Sequence, residues 1–246
     1  MPVRNYGDRT TMVKIAISCM LMLAVTVQAS ENSFSKEAVR TIGVNHLAAP
    51  DGKISVSLGS TLKRGESHLV LTFSPDEKKS SFDVGRGMDA ELLWSPDSKA
   101  LAVTTSDGSS NGVFNLYVFQ IEGTTVKKID ATQSVRKAFG HPVACAYPEP
   151  PNVAAIAWVE PSARLLVAAQ ILDHSVCDSF GTFKLYELNI SDLTVGKTFD
   201  QLEAKRLFGP KLGVFLQHAR DICITDPKSC EVPSNHKAAQ AARPSP

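Results

Sequence analysis

Two stretches of this chain repeat one another, and the repeat limits what the chain can fold into. Leu92-Leu93-Trp94-Ser95-Pro96-Asp97-Ser98-Lys99-Ala100-Leu101-Ala102-Val103 is matched by Ile156-Ala157-Trp158-Val159-Glu160-Pro161-Ser162-Ala163-Arg164-Leu165-Leu166-Val167-Ala168. Each is followed by a polar insert and a second matching strand, Phe114-Asn115-Leu116-Tyr117 and Phe183-Lys184-Leu185-Tyr186. A unit of two phased strands cannot bury its own apolar face, so such units stack on one another. The second unit is longer by about five residues, and the insert falls between Gln170 and Gly181, where it carries Cys177.

From about residue 43 to 190 the chain reads as short strands separated by turns. Lys53-Ile54-Ser55-Val56-Ser57-Leu58 and Ser67-His68-Leu69-Val70-Leu71-Thr72-Phe73 alternate polar and apolar residues, the pattern of a sheet with one buried face. Pro50-Asp51-Gly52-Lys53, Ser74-Pro75-Asp76-Glu77 and Ser95-Pro96-Asp97-Ser98 supply turn chemistry between them. Pro50-Asp51-Gly52-Lys53 reads as an earlier copy of the turn at Pro96, without the tryptophan. Trp94, Trp158, Phe114, Phe183, Tyr117 and Tyr186 recur at matching positions, as core packing between sheets requires.

Trp94-Ser95-Pro96-Asp97-Ser98-Lys99, an apolar strand, a polar hairpin and then Asn115-Leu116-Tyr117-Val118 together resemble the β-propeller blade repeat of the TolB and WD40-like type. The resemblance covers roughly residues 50–190. It implies that the tryptophan packs between blades and that the Ser-Pro-Asp turn joins two strands. Ser98 stands where that family usually has glycine, and the second copy has no aspartate after Pro161. A closed propeller takes about 4–8 blades, and the chain offers two clear units and one weaker one. The expected fold is therefore all-β: stacked antiparallel blade-like sheets, as a partial or open propeller-like stack or a β-sandwich, or a ring completed by another copy. Exposed sheet edges then need covering, a task for the C-terminal region. There Leu212, Phe215, Leu216, Ala219 and Ile222 fall on one face of a short helix that Pro210 can open, giving a C-terminal helical cap.

The first 29 residues read as a secretory signal peptide. Lys14 precedes a nearly unbroken apolar run, Ile15 to Val27, which ends in Val27-Gln28-Ala29. Met12 gives a more compact start than Met1. The run is shorter than the roughly 20 residues of a membrane span, and Cys19 lies too deep within it for lipidation. Residues 30–230 are expected to form a single exported domain in the periplasm or extracellular space, and 231–246 a disordered tail.

Export bears on the cysteines. Without the leader, Cys145, Cys177, Cys223 and Cys230 remain, an even set in an oxidising compartment. Cys223 and Cys230 bracket an Asp226-Pro227 turn, which leaves Cys145 to pair with Cys177. His174 and Cys177, near Asp173 and Asp178, are the nearest approach to a zinc ligand set, but no second ligand pair accompanies them. Asp107 and Asn111 provide too few carboxylates for a calcium loop. No metal or cofactor is expected.

Lysine and arginine number 26 against 25 aspartates and glutamates. This near balance excludes the concentrated positive charge that nucleic acid or an anionic membrane surface requires. The chain has no Gly-x-Ser-x-Gly elbow, phosphate-binding loop or His-Glu-x-x-His pair. The reading is a non-enzymatic binding module for an envelope or extracellular protein, with the loop around Cys177 as its contact region; the chain can also oligomerise. The competing reading is a secreted hydrolase with a site assembled from separate loops, in which His174, Asp173 and His141 are the first candidates.

Overall fold

The computed structural model describes residues 33–42, 44–63, 65–75, 79–86, 89–106, 113–140, 150–172 and 181–219. They form three antiparallel sheets stacked face to face. The first sheet runs in the order β2 (His46–Ala48), β3 (Ser55–Lys63), β4 (Glu66–Phe73), β5 (Ser80–Arg86). The second places the two-residue β1 (Val39–Arg40) beside β6 (Ala90–Trp94), followed by β7 (Ala100–Ser106), β8 (Phe114–Glu122) and β9 (Thr125–Asp130). The third is β10 (Asn152–Glu160), β11 (Arg164–Gln170), β12 (Phe183–Asn189) and β13 (Val195–Phe199). Helix α1 (Thr132–Phe139) joins the second sheet to the third, while α2 (Gln201–Phe208), a 3-10 turn at Gly209–Lys211 and α3 (Val214–Gln217) follow β13. Among the described residues no helix is long and apolar enough to cross a membrane.

The repeat is an equivalence of packing. Trp94 joins the core between the first and second sheets, where it meets Phe73 edge to face at 6.4 Å. Trp158 occupies the same place between the second and third, with its indole N–H donating to Leu93 O at 3.2 Å. Tyr117 and Tyr186 likewise face the first and second interfaces. β10 and β11 are apolar on both faces because both are covered, one by the second sheet and the other by the helices.

The turns repeat as well. Gly52, Ser98 and Ser162 all have positive φ, at 71°, 60° and 50°. Ser98 thus adopts the left-handed conformation that glycine reaches most readily. Ser162 is its counterpart when the copies are aligned on their tryptophans, since the proline of the second turn has slipped by one place. The serine hydroxyls also connect neighbouring turns. Asp51 N donates to Ser98 Oγ at 3.0 Å, and Ser162 Oγ donates to Asp97 Oδ2 at 2.8 Å. This ladder starts at a glycine and stops at a copy without the aspartate, so the departures from the repeat mark the two ends of the stack.

Both ends are also closed by side-chain character. The outward residues of the first sheet include Ser57, Thr61, His68, Thr72, Ser81 and Asp83, with Val70 among them, a mostly polar face. The outer face of the third is covered by Ala204, Leu212, Leu216 and Ala219. The fold is therefore an open stack of blade-like sheets.

Three expectations require correction. The helical cap begins at Gln201, ahead of Pro210, with Asp200 accepting from Glu203 N as its N-cap. It is also interrupted at Leu212, which leaves the helix to bridge Ser35. Leu212, Leu216 and Ala219 do face the sheet together, and Ile222 lies outside the described residues. The stretch from 43 to 190 is not strands and turns alone, because α1 lies within it and presents Val135 to the core between the second and third sheets. Finally, the inner sheet edges are covered from the N-terminal side. Val39 and Arg40 pair with Leu92 and Glu91 of β6, and Ser35 Oγ donates to Ile156 O of β10 at 2.7 Å.

Candidate functional site

The two ends of the stack, seen along the strands, have different connections. At one end the strands are joined by short turns, including those at 95–99, 123–124 and 161–163. At the other, Ser106 pairs with Phe114, Asn152 with Gln170, and Gln170 with Phe183. These pairs are the roots of the segments 107–112, 141–149 and 173–180. The chain beyond Ala219 leaves from the same end. Cys145, Cys177, Cys223, Cys230, His141, Asp173 and His174 all belong to these segments and lie outside the described residues.

Buried carboxamides bind the roots together. Asn152 Oδ1 accepts from Phe114 N at 2.9 Å, tying the third sheet to the second. Gln170 Nε2 donates to Gly181 O at 3.3 Å and to Phe215 O at 3.2 Å. Gln201 Oε1 accepts from Phe183 N at 3.1 Å, while its Nε2 donates to Ala219 O at 3.4 Å. Arg136 of α1 adds bonds to Pro151 O at 3.1 Å and Asn115 Oδ1 at 3.0 Å. A carboxamide both donates and accepts, so it can satisfy unlike backbone groups where water is excluded. Sequence reading passed over these residues. Their signal was a single polar residue at the margin of an apolar run, as with Asn152 before Val153-Ala154-Ala155-Ile156 and Gln170 after Leu165-Leu166-Val167-Ala168-Ala169.

The short-turn end carries a shallow cavity of about 410 Å³ lined by Asp51, Ile54, Asp97, Ser98, Lys99 and Glu122, among others. Its carboxylates already hold the turns. Asp51 Oδ1 accepts from Lys53 N at 3.0 Å. Asp97 accepts from Ser95 Oγ at 2.6 Å, Ser162 Oγ at 2.8 Å and Lys99 N at 3.3 Å. Burial acts to raise the Asp97 pKa, but these hydrogen bonds outweigh it and hold the group below its ordinary value.

Two further groups resemble acid–base chemistry. His68 Nδ1 lies 3.1 Å from Asp83 Oδ2 on the outer face of the first sheet, where Lys63 also reaches the carboxylate. Burial opposes ionisation of Asp83, yet the hydrogen bonds from Lys63, Gly85 N–H and His68 bring its pKa to about 2, too low for a base at neutral pH. Glu91 is the opposite case. Burial pushes its pKa up to about 7, against the lowering effect of N–H donors from Phe34 and Ser35. Both carboxylate oxygens are occupied by those donors, at 2.8 and 3.1 Å, and the residue is 4% exposed. Neither group lines the cavity at the short-turn end. Among the described residues, no three His, Cys, Asp or Glu side chains come together as a metal site.

No family model matches the chain. No curated protein matches it either. Among solved structures it is similar to the β-propeller domain of the Trilobed protease from Pyrococcus furiosus, a domain described as having an open velcro topology. That similarity has a TM-score of 0.38 at 13% identity and covers 68% of this chain, which spans 43% of the propeller chain.

Proposed function

We propose that this chain is an exported binding module of the periplasm or extracellular space, and that it engages an envelope or extracellular protein through the end bearing the roots of 107–112, 141–149 and 173–180. The observation that carries this reading is the asymmetry of the stack. The connections that include 107–112, 141–149 and 173–180 and the chain leaving Ala219 are rooted at one end, on a frame stiffened by Asn152, Gln170 and Gln201, while the other end carries turns such as 95–99, 123–124 and 161–163. Loops set on a rigid scaffold are where recognition concentrates. Export rests on the basic, apolar and small-residue order of residues 14–29.

The test is affinity capture from the native envelope with three proteins: wild type, a variant with residues 173–180 replaced by a Gly-Ser linker, and a Lys53→Glu/Lys99→Glu variant at the opposite end. A specific partner should be retained by wild type and by the lysine variant, and lost with the linker. Loss with the lysine variant alone would place recognition at the short-turn end and refute the proposal. Residue-specific non-reducing mass mapping expects Cys145 bonded to Cys177 and Cys223 to Cys230.

A further inference from the structure

Of the chain's asparagines, only Asn189 is followed two places on by a serine or threonine, in Asn189-Ile190-Ser191. That triplet, with any residue but proline in the middle, is the acceptor sequence for N-linked glycan transfer to exported proteins. Glu187 stands two places before the acceptor, where glycan transferases of the bacterial periplasm also read an acidic residue.

The fold puts this triplet on the surface. Asn189 closes β12, and residues 190–194 turn into β13 at the short-turn end, away from the roots of 107–112, 141–149 and 173–180. Phe183 and Leu185 pack against the C-terminal helices, and Glu187 and Asn189 follow on the same face. Arg164 lies across from Asn189 and pairs with Glu187 at 3.1 Å, and its side chain is 41% exposed. Asn189 is half-buried and Ser191 is exposed.

The turn does not itself call for asparagine. Asn189 Oδ1 accepts from Ser191 N at 3.1 Å and from Ser191 Oγ at 3.0 Å. Three places on, Asp192 makes the same pair of bonds with Thr194, at 3.0 and 2.7 Å. An aspartate therefore closes such a turn equally well. What asparagine adds is Nδ2, which is bonded to no acceptor among the described residues. A glycan on Nδ2 leaves Oδ1 and one N–H in place, so both turn bonds survive the modification.

We propose that Asn189 is an N-glycosylation site whose Nδ2 takes an oligosaccharide from a lipid-pyrophosphate donor. A bond forms from Nδ2 to the anomeric carbon as the bond from that carbon to the pyrophosphate oxygen breaks. Nδ2 gives up one proton and the lipid pyrophosphate leaves. Transfer precedes folding, because Ile190 is 1% exposed and its N–H donates to Ala163 O at 2.9 Å, which holds the finished turn out of an extended acceptor conformation. The glycan then stands at the short-turn end and leaves the opposite end free for recognition.

The proposal rests on the export reading, so the experiment reads both. Protein purified from its native exported fraction is analysed by intact mass, N-terminal sequencing and peptide mapping. The peptide containing Asn189 should carry a hexose and N-acetylhexosamine increment. Asn189→Asp, which keeps the turn, and Ser191→Ala should both lose the increment completely, and Ser191→Thr should retain it. Leader-cleaved protein with Asn189 unmodified would overturn this proposal and leave export standing. Protein found only in the cytosol with its leader intact would overturn both. An increment that persists in Asn189→Asp would place the glycan on another residue and overturn the assignment.

Discussion

Gly213→Ala isolates the contact between the two ends of the described chain. Gly213 has φ −76° and ψ 175°, a conformation that alanine adopts without strain, so the substitution acts only through space. A Cβ at this position would lie 2.1 Å from Ser33 O, 2.5 Å from Ser33 C and 2.6 Å from Ser33 Oγ. Two of these atoms are backbone, so residues 33–37 must move by about 1 Å or more to restore ordinary contact. Such a shift breaks the bonds from Gly213 N to Phe34 O and from Phe215 N to Ser33 O, each worth about 1 kcal/mol. Release of Phe34 from its aromatic contacts adds about 2 kcal/mol. The total, about 4 kcal/mol, is large against a typical stability of about 5–15 kcal/mol but leaves the protein folded. In urea denaturation it should lower the midpoint by about 2 M for an m-value of about 2 kcal/mol/M. Gly59→Ala is the control, an exposed strand position with nothing within 4 Å of the added carbon, where stability should hold or rise by up to about 1 kcal/mol. If Gly213→Ala unfolds at the same urea concentration as wild type, residues 33–37 are not seated as described.

Other outcomes follow from single contacts. The Tyr186 hydroxyl is buried with no hydrogen-bond partner among the described residues, and burial pushes its pKa up to about 12; Tyr186→Phe should be neutral or stabilising by up to about 1 kcal/mol in thermal or urea unfolding. Ser162→Ala removes one rung of the turn ladder and should raise the Asp97 pKa in an NMR titration. Because that pKa is lowered in the fold, the associated stability is present above the ordinary aspartate value and fades as pH falls through the folded one, so the mutational loss should shrink in acid. Gln170→Leu leaves Gly181 O and Phe215 O without their donor and should cost about 1–3 kcal/mol, with faster exchange at the root of 173–180.

Period-two alternation and turn chemistry are local, and they were legible in the chain. The strands around Ser55 and Leu69, the Ser-Pro-Asp turn and the equivalence of Trp94 with Trp158 depend on residues within a few positions of one another, and all appear in the fold. Even the glycine-to-serine departure at Ser98 had a local meaning, since the left-handed φ it requires is present in three copies of the turn. Helix α1 escaped notice because only Thr132 and Val135 among its eight residues are buried, too few to show a helical stripe.

What only the tertiary structure decided lies between residues distant in the chain. Glu91 is buried, and its carboxylate accepts the N–H of Phe34, 57 positions earlier. Ser35 bonds to Ile156 over 121 positions, and the carboxamides at Asn152, Gln170 and Gln201 likewise take partners from other sheets or helices. No periodicity encodes such pairs, because their geometry exists only after the sheets have stacked. Local sequence determined the blades; the stacking determined which polar groups lost their water and therefore had to find each other.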